Sequence, residues 1–218
     1  MPRKAARPGP KGLAPAEIVK SAIALLEKEG EAGFSIRKVA AAVGCDPMAV
    51  LYHFKSKAGL ERAMADALNA ELQPVDPTAS WRERLAGLAH QYRKLALRHP
   101  RTFPLLLRFW VTGPADYRHA EMIYQALADA GFDDRRTVDI CFGWYASILG
   151  LAAAEVGGLL QPPSAEILEE VRGLDAADFP ATTRLAATFA DQEPGQIYDL
   201  MIETFLQGLE RSLEAGRA

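Results

Sequence analysis

Residues Phe34–Leu60 read FSIRKVAAAVGCDPMAVLYHFKSKAGL, and the spacing within this stretch decides the fold. Ile36, Val39, Ala40 and Val43 recur as the apolar face of a short helix does, and Gly44-Cys45 interrupts them. Asp46-Pro47 opens a second helical run, Met48 to His53, and Ser56 opens a third. Ser35, Asp46 and Ser56 are residues whose side chains accept from a free helix N–H. Pro47 falls at the first helical position, where its missing N–H is no loss. Two short helices joined by a tight glycine-containing turn make a helix-turn-helix, the unit whose second helix lies in a DNA major groove.

On that reading Pro47, Met48 and Ala49, at the start of the second helix, face base edges. Tyr52 and His53 at its far end carry a hydroxyl and an imidazole that reach phosphate oxygens. Arg37, near the start of the preceding helix, suits bidentate guanine readout, worth about 1–3 kcal/mol of discrimination. Lys57 follows Ser56 in the first turn of the third helix, so a phosphate there meets an ammonium and free backbone N–H groups together. Phe34 and Phe54 are assigned to packing. Tyr52 and His53 fit equally well as edge residues of a small core, and residue type alone leaves both readings open.

Before this stretch, Ile18, Val19, Ala22, Leu25 and Leu26 stripe a helix from Pro15 to Glu29, with Gly30 as its stop. Packed across the two helices it completes a three-helix head. Residues 1–12, MPRKAARPGPKG, hold four positive charges and five Pro or Gly, the composition of a disordered basic arm that tracks phosphates or a neighbouring minor groove.

The chain has 218 residues and a net charge of −3, which conceals an asymmetry. Residues 1–60 carry ten Lys or Arg against five Asp or Glu, and the remainder fifteen against twenty-three. A basic amino-terminal part on an acidic body is the footprint of a protein that meets a polyanion at one end. Two cysteines, Cys45 and Cys141, and four scattered histidines exclude a disulfide framework or a spaced zinc site, and suit a cytoplasmic protein. No apolar run follows the basic start, so no secretory signal is read there. The apolar region around Ile140–Leu160 is broken by Gly143, Glu155 and Gly157-Gly158 and reads as a core helix.

The stretch SIRKVAAAVGCDPMAVLYHFKSKAGL resembles the DNA-binding segment of the tetracycline-repressor (TetR) family. Gly44, Tyr52, His53, Phe54, Lys55, Lys57 and Leu60 match its pattern. Leu51 departs from it, standing where many members carry a phosphate-contacting Tyr. Trp81-Arg82-Glu83-Arg84-Leu85, Tyr92-Arg93, His99-Pro100 and Gly131-Phe132 are similar, more weakly, to the ligand domain of the tetracycline-repressor branch. The resemblance implies a homodimer, a palindromic operator and a small-molecule inducer in a helical second domain. Leu88, Leu106 and Ala153 or Ala154 occupy the positions of that branch's pocket Asn, metal-binding His and carboxylate, so a tetracycline–magnesium effector does not carry over. No metal or other cofactor is expected.

The fold class expected is all-α: the three-helix head at 13–60, a linking helix at 56–73 and a larger helical body at 74–218 for ligand binding and dimerisation. Gln73-Pro74-Val75-Asp76-Pro77 marks the boundary. The linking helix, with Leu60, Met64, Ala67 and Leu68 on one face, is expected to act as the lever between head and body. In the body, Trp81, Leu85, Leu88, Tyr92 and Leu95 stripe one helix, and Asp116–Ala130 forms another with Met122, Ile123, Ala126 and Leu127 inward. Asp134–Val156 is apolar on nearly every face and is expected to be buried all round. Gln161–Pro194 reads as a loop with short helices. The last helix, Gln196–Leu213, shows Ile197, Leu200, Met201, Thr204, Phe205, Gly208 and Leu209. Helices 134–156 and 196–213 are the expected two-fold interface, against packing within one subunit. Tyr92, Phe109, Trp110, Tyr124 and Trp144 are the candidate effector-pocket aromatics, with His119 or Gln125 as polar anchors.

These readings converge on a homodimeric, ligand-responsive DNA-binding regulator, a repressor released by a small apolar or aromatic effector. The alternatives are a helical enzyme or a protein-interaction scaffold with an incidental DNA-binding-like head. No nucleophile–base pair or Gly-rich phosphate loop supports catalysis, and Glu155, Asp139 and His119 have no spacing that compels it.

Overall fold

The computed structural model describes residues 14–217; the basic arm expected at 1–12 lies outside them. Among the described residues there are ten α-helices and no strand. The chain divides into two compact units. One holds the residues up to Glu71 together with Arg101–His119, and the other holds Leu72–Pro100 with everything from Ala120 onward. A single boundary near Gln73 is therefore one of three crossings, since the chain returns to the first unit after Pro100 and leaves it again after His119.

The first unit opens with α1 (Pro15–Gly33), α2 (Ile36–Val43), α3 (Pro47–Phe54) and α4 (Lys57–Asn69). α1 does not stop at Gly30 but kinks there, with φ 71°, and resumes to Gly33. The three expected caps form. Ser35 Oγ accepts from Lys38 N at 3.3 Å, Asp46 Oδ1 from Met48 N at 2.7 Å, and Ser56 Oγ from Gly59 N at 3.0 Å. Gly44, at φ 73°, ends α2 in the left-handed conformation that a glycine adopts without strain. Ile18, Ala22, Val39, Ala40, Val50, Leu60 and Met64 are fully buried, and Phe34 nearly so. Burial of each large side chain contributes roughly 1.5–3 kcal/mol and each cap about 1 kcal/mol, so the core holds the head together and the caps set where its helices begin.

Residues 101–119 join this head through long-range hydrogen bonds. Arg101 Nη1 donates to the carbonyls of Glu27 and Lys28 at 3.0 and 2.7 Å, and the Glu27 carboxylate accepts from the backbone N–H of Arg101 and Thr102. A short 3₁₀ turn, Phe103–Leu107, packs on α4 with Phe103 fully buried. Arg62 Nε then donates to the carbonyls of Val111 and Thr112 at 3.0 and 2.9 Å. Asp66 Oδ1 accepts from Ala115 N at 3.0 Å and so caps the start of α6 (Pro114–Ala130) from another helix.

In the second unit α5 (Trp81–Arg98) lies against α7 (Asp134–Val156) and α10 (Pro194–Arg217), with the short α8 (Ala165–Arg172) and α9 (Pro180–Leu185) between the last two in the chain. Ser80 and Glu83 form a reciprocal capping box at the start of α5. α7 is long and apolar enough to cross a membrane by length and composition. It is not buried all round: Thr137, Cys141, Trp144, Ile148, Leu149, Ala152 and Glu155 form one buried face, and Val138 and Phe142 are exposed. α5 and α10 both pack on α7, and among the described residues its Val138 and Phe142 stay exposed. α10 likewise turns Tyr198, Ile202, Leu206 and Leu209 inward and leaves Leu200 and Met201 exposed. The apolar stripe read from sequence on α10 is thus mostly the outer face. Tyr198 seals the inner one by donating its hydroxyl to the Ala89 carbonyl at 2.8 Å.

Candidate nucleic-acid interface

Val50 is the fully buried anchor of α3, and helical geometry turns the opposite side of that helix outward. Met48 is 68% exposed and Tyr52 74% exposed, four residues apart on this outer ridge, with His53 exposed beside them and Pro47 and Ala49 half-buried at the flanks. Tyr52 is held in place from two sides. His53 meets its ring edge-on at 5.5 Å between centroids, and Lys55 places its ammonium 5.2 Å from the ring centre while donating to the Tyr52 carbonyl. Lys55 has φ 66°, and Ser56 N bonds back to the Phe54 carbonyl at 2.8 Å, a tight and strained reversal between α3 and α4. Phe54 is half-buried beneath it.

Lys57 stands at the first position of α4, its ammonium 3.6 Å from Glu61 and 5.4 Å from the Phe34 ring centre. Glu61 is half-buried and Lys57 exposed, so the pair aims the lysine while leaving its ammonium open to solvent. Arg37 is exposed in the first turn of α2. The seven residues read as DNA contacts are therefore carried by one unit, on the outer side of α3 and at the starts of α2 and α4.

The residues read as an effector pocket are divided between the two units. Tyr92 and Trp144 are both buried and meet edge-to-face at 6.0 Å, with Tyr145 closing an aromatic trio at 6.1 and 5.4 Å. Tyr124 is half-buried on α6. Gln125 is exposed and donates to Glu121 on its own helix at 2.8 Å, so solvent and a neighbour, not a cavity, satisfy it. Phe109, Trp110 and His119 belong to the other unit, where Trp110 is 81% exposed. His119 is buried, and burial, helped by Arg118, pushes its pKa down to about 4, so it is neutral at ordinary pH. Of the groups considered as acids or bases, Glu155 accepts two hydrogen bonds from Arg93 at 2.7 and 2.8 Å, and Asp139 lies exposed beside Arg135.

Residues 18–64 match the model for bacterial regulatory proteins of the tetR family, and residues 73–214 match that for the tetracyclin repressor-like C-terminal domain. The chain belongs to the TetR family. It is a transcriptional regulator with a DNA-binding head and a tetracyclin-repressor-like ligand domain. An HTH-type transcriptional regulator of Saccharopolyspora erythraea is 30% identical over 117 residues, spanning 53% of this chain and half of that relative's length. The class A tetracycline repressor of transposon 1721 from Escherichia coli is 26% identical over 212 residues, covering 91% of each chain. A putative transcriptional regulator from Streptomyces coelicolor A3(2) superposes with a TM-score of 0.77 at 27% identity, over 92% of this chain and 98% of that one. The Streptomyces coelicolor TetR family protein ActR, solved with (S)-DNPA, shares the fold with a TM-score of 0.80 at 19% identity, over 94% and 98%.

Several residues that shape this TetR head escape a reading by residue type. A Cβ on Gly59 would stand 1.9 Å from the Phe54 carbonyl oxygen, so the close approach of α4 to the end of α3 depends on that glycine. Asp66 and Arg62 hold the 111–115 segment from α4. No local motif marks either of them, because their partners lie some fifty residues away in the chain.

Proposed function

We propose that this TetR-family regulator is a cytoplasmic homodimeric repressor that binds a palindromic operator and is released by a small apolar or aromatic effector, without catalytic activity. The observation that carries the reading is the outer ridge of α3. Met48 and Tyr52 are large side chains left exposed on a helix anchored by the fully buried Val50, with His53 exposed beside them and Arg37 and Lys57 exposed on the neighbouring helices of the same unit. A large exposed face of this kind suits an interaction surface, and its position on the second helix of a helix-turn-helix is that of a major-groove reader.

Dimerisation is supported by the uncovered apolar sides of α7 and α10. Val138, Phe142, Leu200 and Met201 are exposed there, Leu200 at 64%. A Cβ placed on Gly143, Gly150 or Gly208 would meet no atom within 4 Å, so the backbones of both helices are open to close approach by a second copy. An effector in the body is supported by the match of residues 73–214 to the tetracyclin repressor-like C-terminal domain, and the structural neighbour ActR is solved with (S)-DNPA and with actinorhodin.

Arg37→Ala supplies the test. In gel-shift titrations of the chain's own promoter region at fixed salt, the variant should lose about ten-fold or more in specific affinity. Binding to unrelated duplex, which rests on phosphate contacts, should fall only slightly. Equal loss on both DNAs would remove Arg37 from base readout, and absence of any preference in the unaltered protein would remove the operator reading itself.

A further inference from the structure

We propose that the recognition helix reads its half-site through thymine methyl groups, with Met48 and Ala49 as the specificity-determining side chains. The inference rests on the DNA-binding reading above. It begins from what the leading turn of α3 lacks. Pro47 has neither a side-chain polar group nor an N–H. Met48 offers a thioether, and its own N–H is taken by Asp46 Oδ1 at 2.7 Å. Ala49 offers a methyl, and its N–H is taken by the Asp46 carbonyl at 2.9 Å. The first turn of the helix therefore presents hydrocarbon and sulfur, with its leading backbone donors already spent on the cap. The hydrogen-bonding side chains of α3, Tyr52 and His53, begin one turn later.

The floor of the major groove offers only one apolar group, the C5 methyl of thymine. Cytosine carries only a C–H at that position, and the groups flanking it on every base pair are donors and acceptors. Met48, at 68% exposure, covers a patch of that floor. Over a thymine methyl it buries carbon against carbon. Over a cytosine N4 amine or a guanine O6 it strips water from a polar group and returns no hydrogen bond, which is costly. A flexible, polarisable thioether also conforms to a methyl without a fixed geometry. Discrimination thus comes from one favourable contact and several penalised ones. The half-site combines a guanine read by Arg37 with one or two thymines under the helix start.

The proposal is tested with duplexes recovered by the full-length protein from a randomised pool, resynthesised with deoxyuridine in place of thymidine one position at a time. Uracil keeps every hydrogen-bonding group and lacks only the methyl. At one or two thymines per half-site the substitution should weaken binding about four-fold, the worth of one buried methyl. Met48→Ala, a change at an exposed side chain that leaves the head folded, should abolish the penalty at one of them, as should Met48→Gln. Arg37→Ala should leave the penalty in place while lowering affinity overall. Indifference to uracil at every position, with sequence selection intact, would overturn the proposal. So would a penalty that persists unchanged in both Met48 variants, or recovered half-sites with no thymine. Recovery of no preferred sequence would instead overturn the operator reading.

Discussion

Gly59 shows how a single position sets the geometry of the whole head. It lies inside α4, where alanine is favoured over glycine by about 1 kcal/mol, so propensity alone predicts that Gly59→Ala stabilises the protein. The 1.9 Å approach of the added Cβ to the Phe54 carbonyl reverses that sign, because a backbone oxygen cannot swing aside as a flexible side chain does. Overpacking of this kind costs about 1–3 kcal/mol. Gly59→Ala should lower the urea midpoint with an unchanged slope and weaken DNA binding, since the α3–α4 reversal that positions Lys55 and Lys57 must open. A stability equal to or above that of the unaltered chain would refute this account of the junction. The caps at Ser35, Asp46 and Ser56 were legible because their partners lie two or three residues away. Gly59 was not, because the atom it avoids is identified only once α4 has folded back on α3.

Among the elements, the contact of α4 with the 111–119 segment is the polar centre of the first unit. Asp66 accepts from Ala115 N, Asn69 donates to Thr112 Oγ1 at 3.1 Å, and Asp116 accepts from Thr112 N at 2.9 Å. His119 is buried in the same unit, on α6 with Arg118 and Asp116, and feels Asp66 from α4. Its pKa is about 4 against an ordinary 6.5, so the unfolded chain takes up a proton over an interval in which the folded one does not. Stability from this group is therefore full above about pH 6.5 and declines as pH falls toward 4, by about 2 kcal/mol at pH 5. Asp116, whose pKa burial raises, works in the opposite direction. Unfolding midpoints at pH 7.5 and 5.0 should converge in His119→Gln relative to the unaltered protein; a pH dependence identical in both would contradict the burial argument. Helix positions were legible from apolar spacing. Membership of residues 101–119 in the head was not, since Arg101, Arg62 and Asp66 act through bonds to distant backbone, which leave no periodic trace. The stripe on α10 was legible as apolar but not as outward, because periodicity does not say whose surface covers it.

At the scale of the molecule, the head and body are joined by three chain crossings, after Glu71, after Pro100 and after His119, instead of by α4 alone. Any effect of a ligand on the head has three covalent routes. The crossing after Pro100 leads directly into the Arg101–Glu27 contact with α1, and α6 spans the crossing after His119 without a break. Family membership fixes a DNA-binding head and a ligand domain, and the exposed sides of α7 and α10 support pairing of two such chains. Two heads related by a two-fold axis must meet the same groove face one DNA turn apart, about 34–36 Å, or a multiple of it. Footprinting of the full-length protein on its promoter region measures this directly. Two inverted half-sites are expected, their centres separated by one or more whole turns, and both should weaken together when Arg37 is replaced by Ala. Protection of a single unpaired half-site, or uniform protection with no preferred sequence, would contradict that expectation.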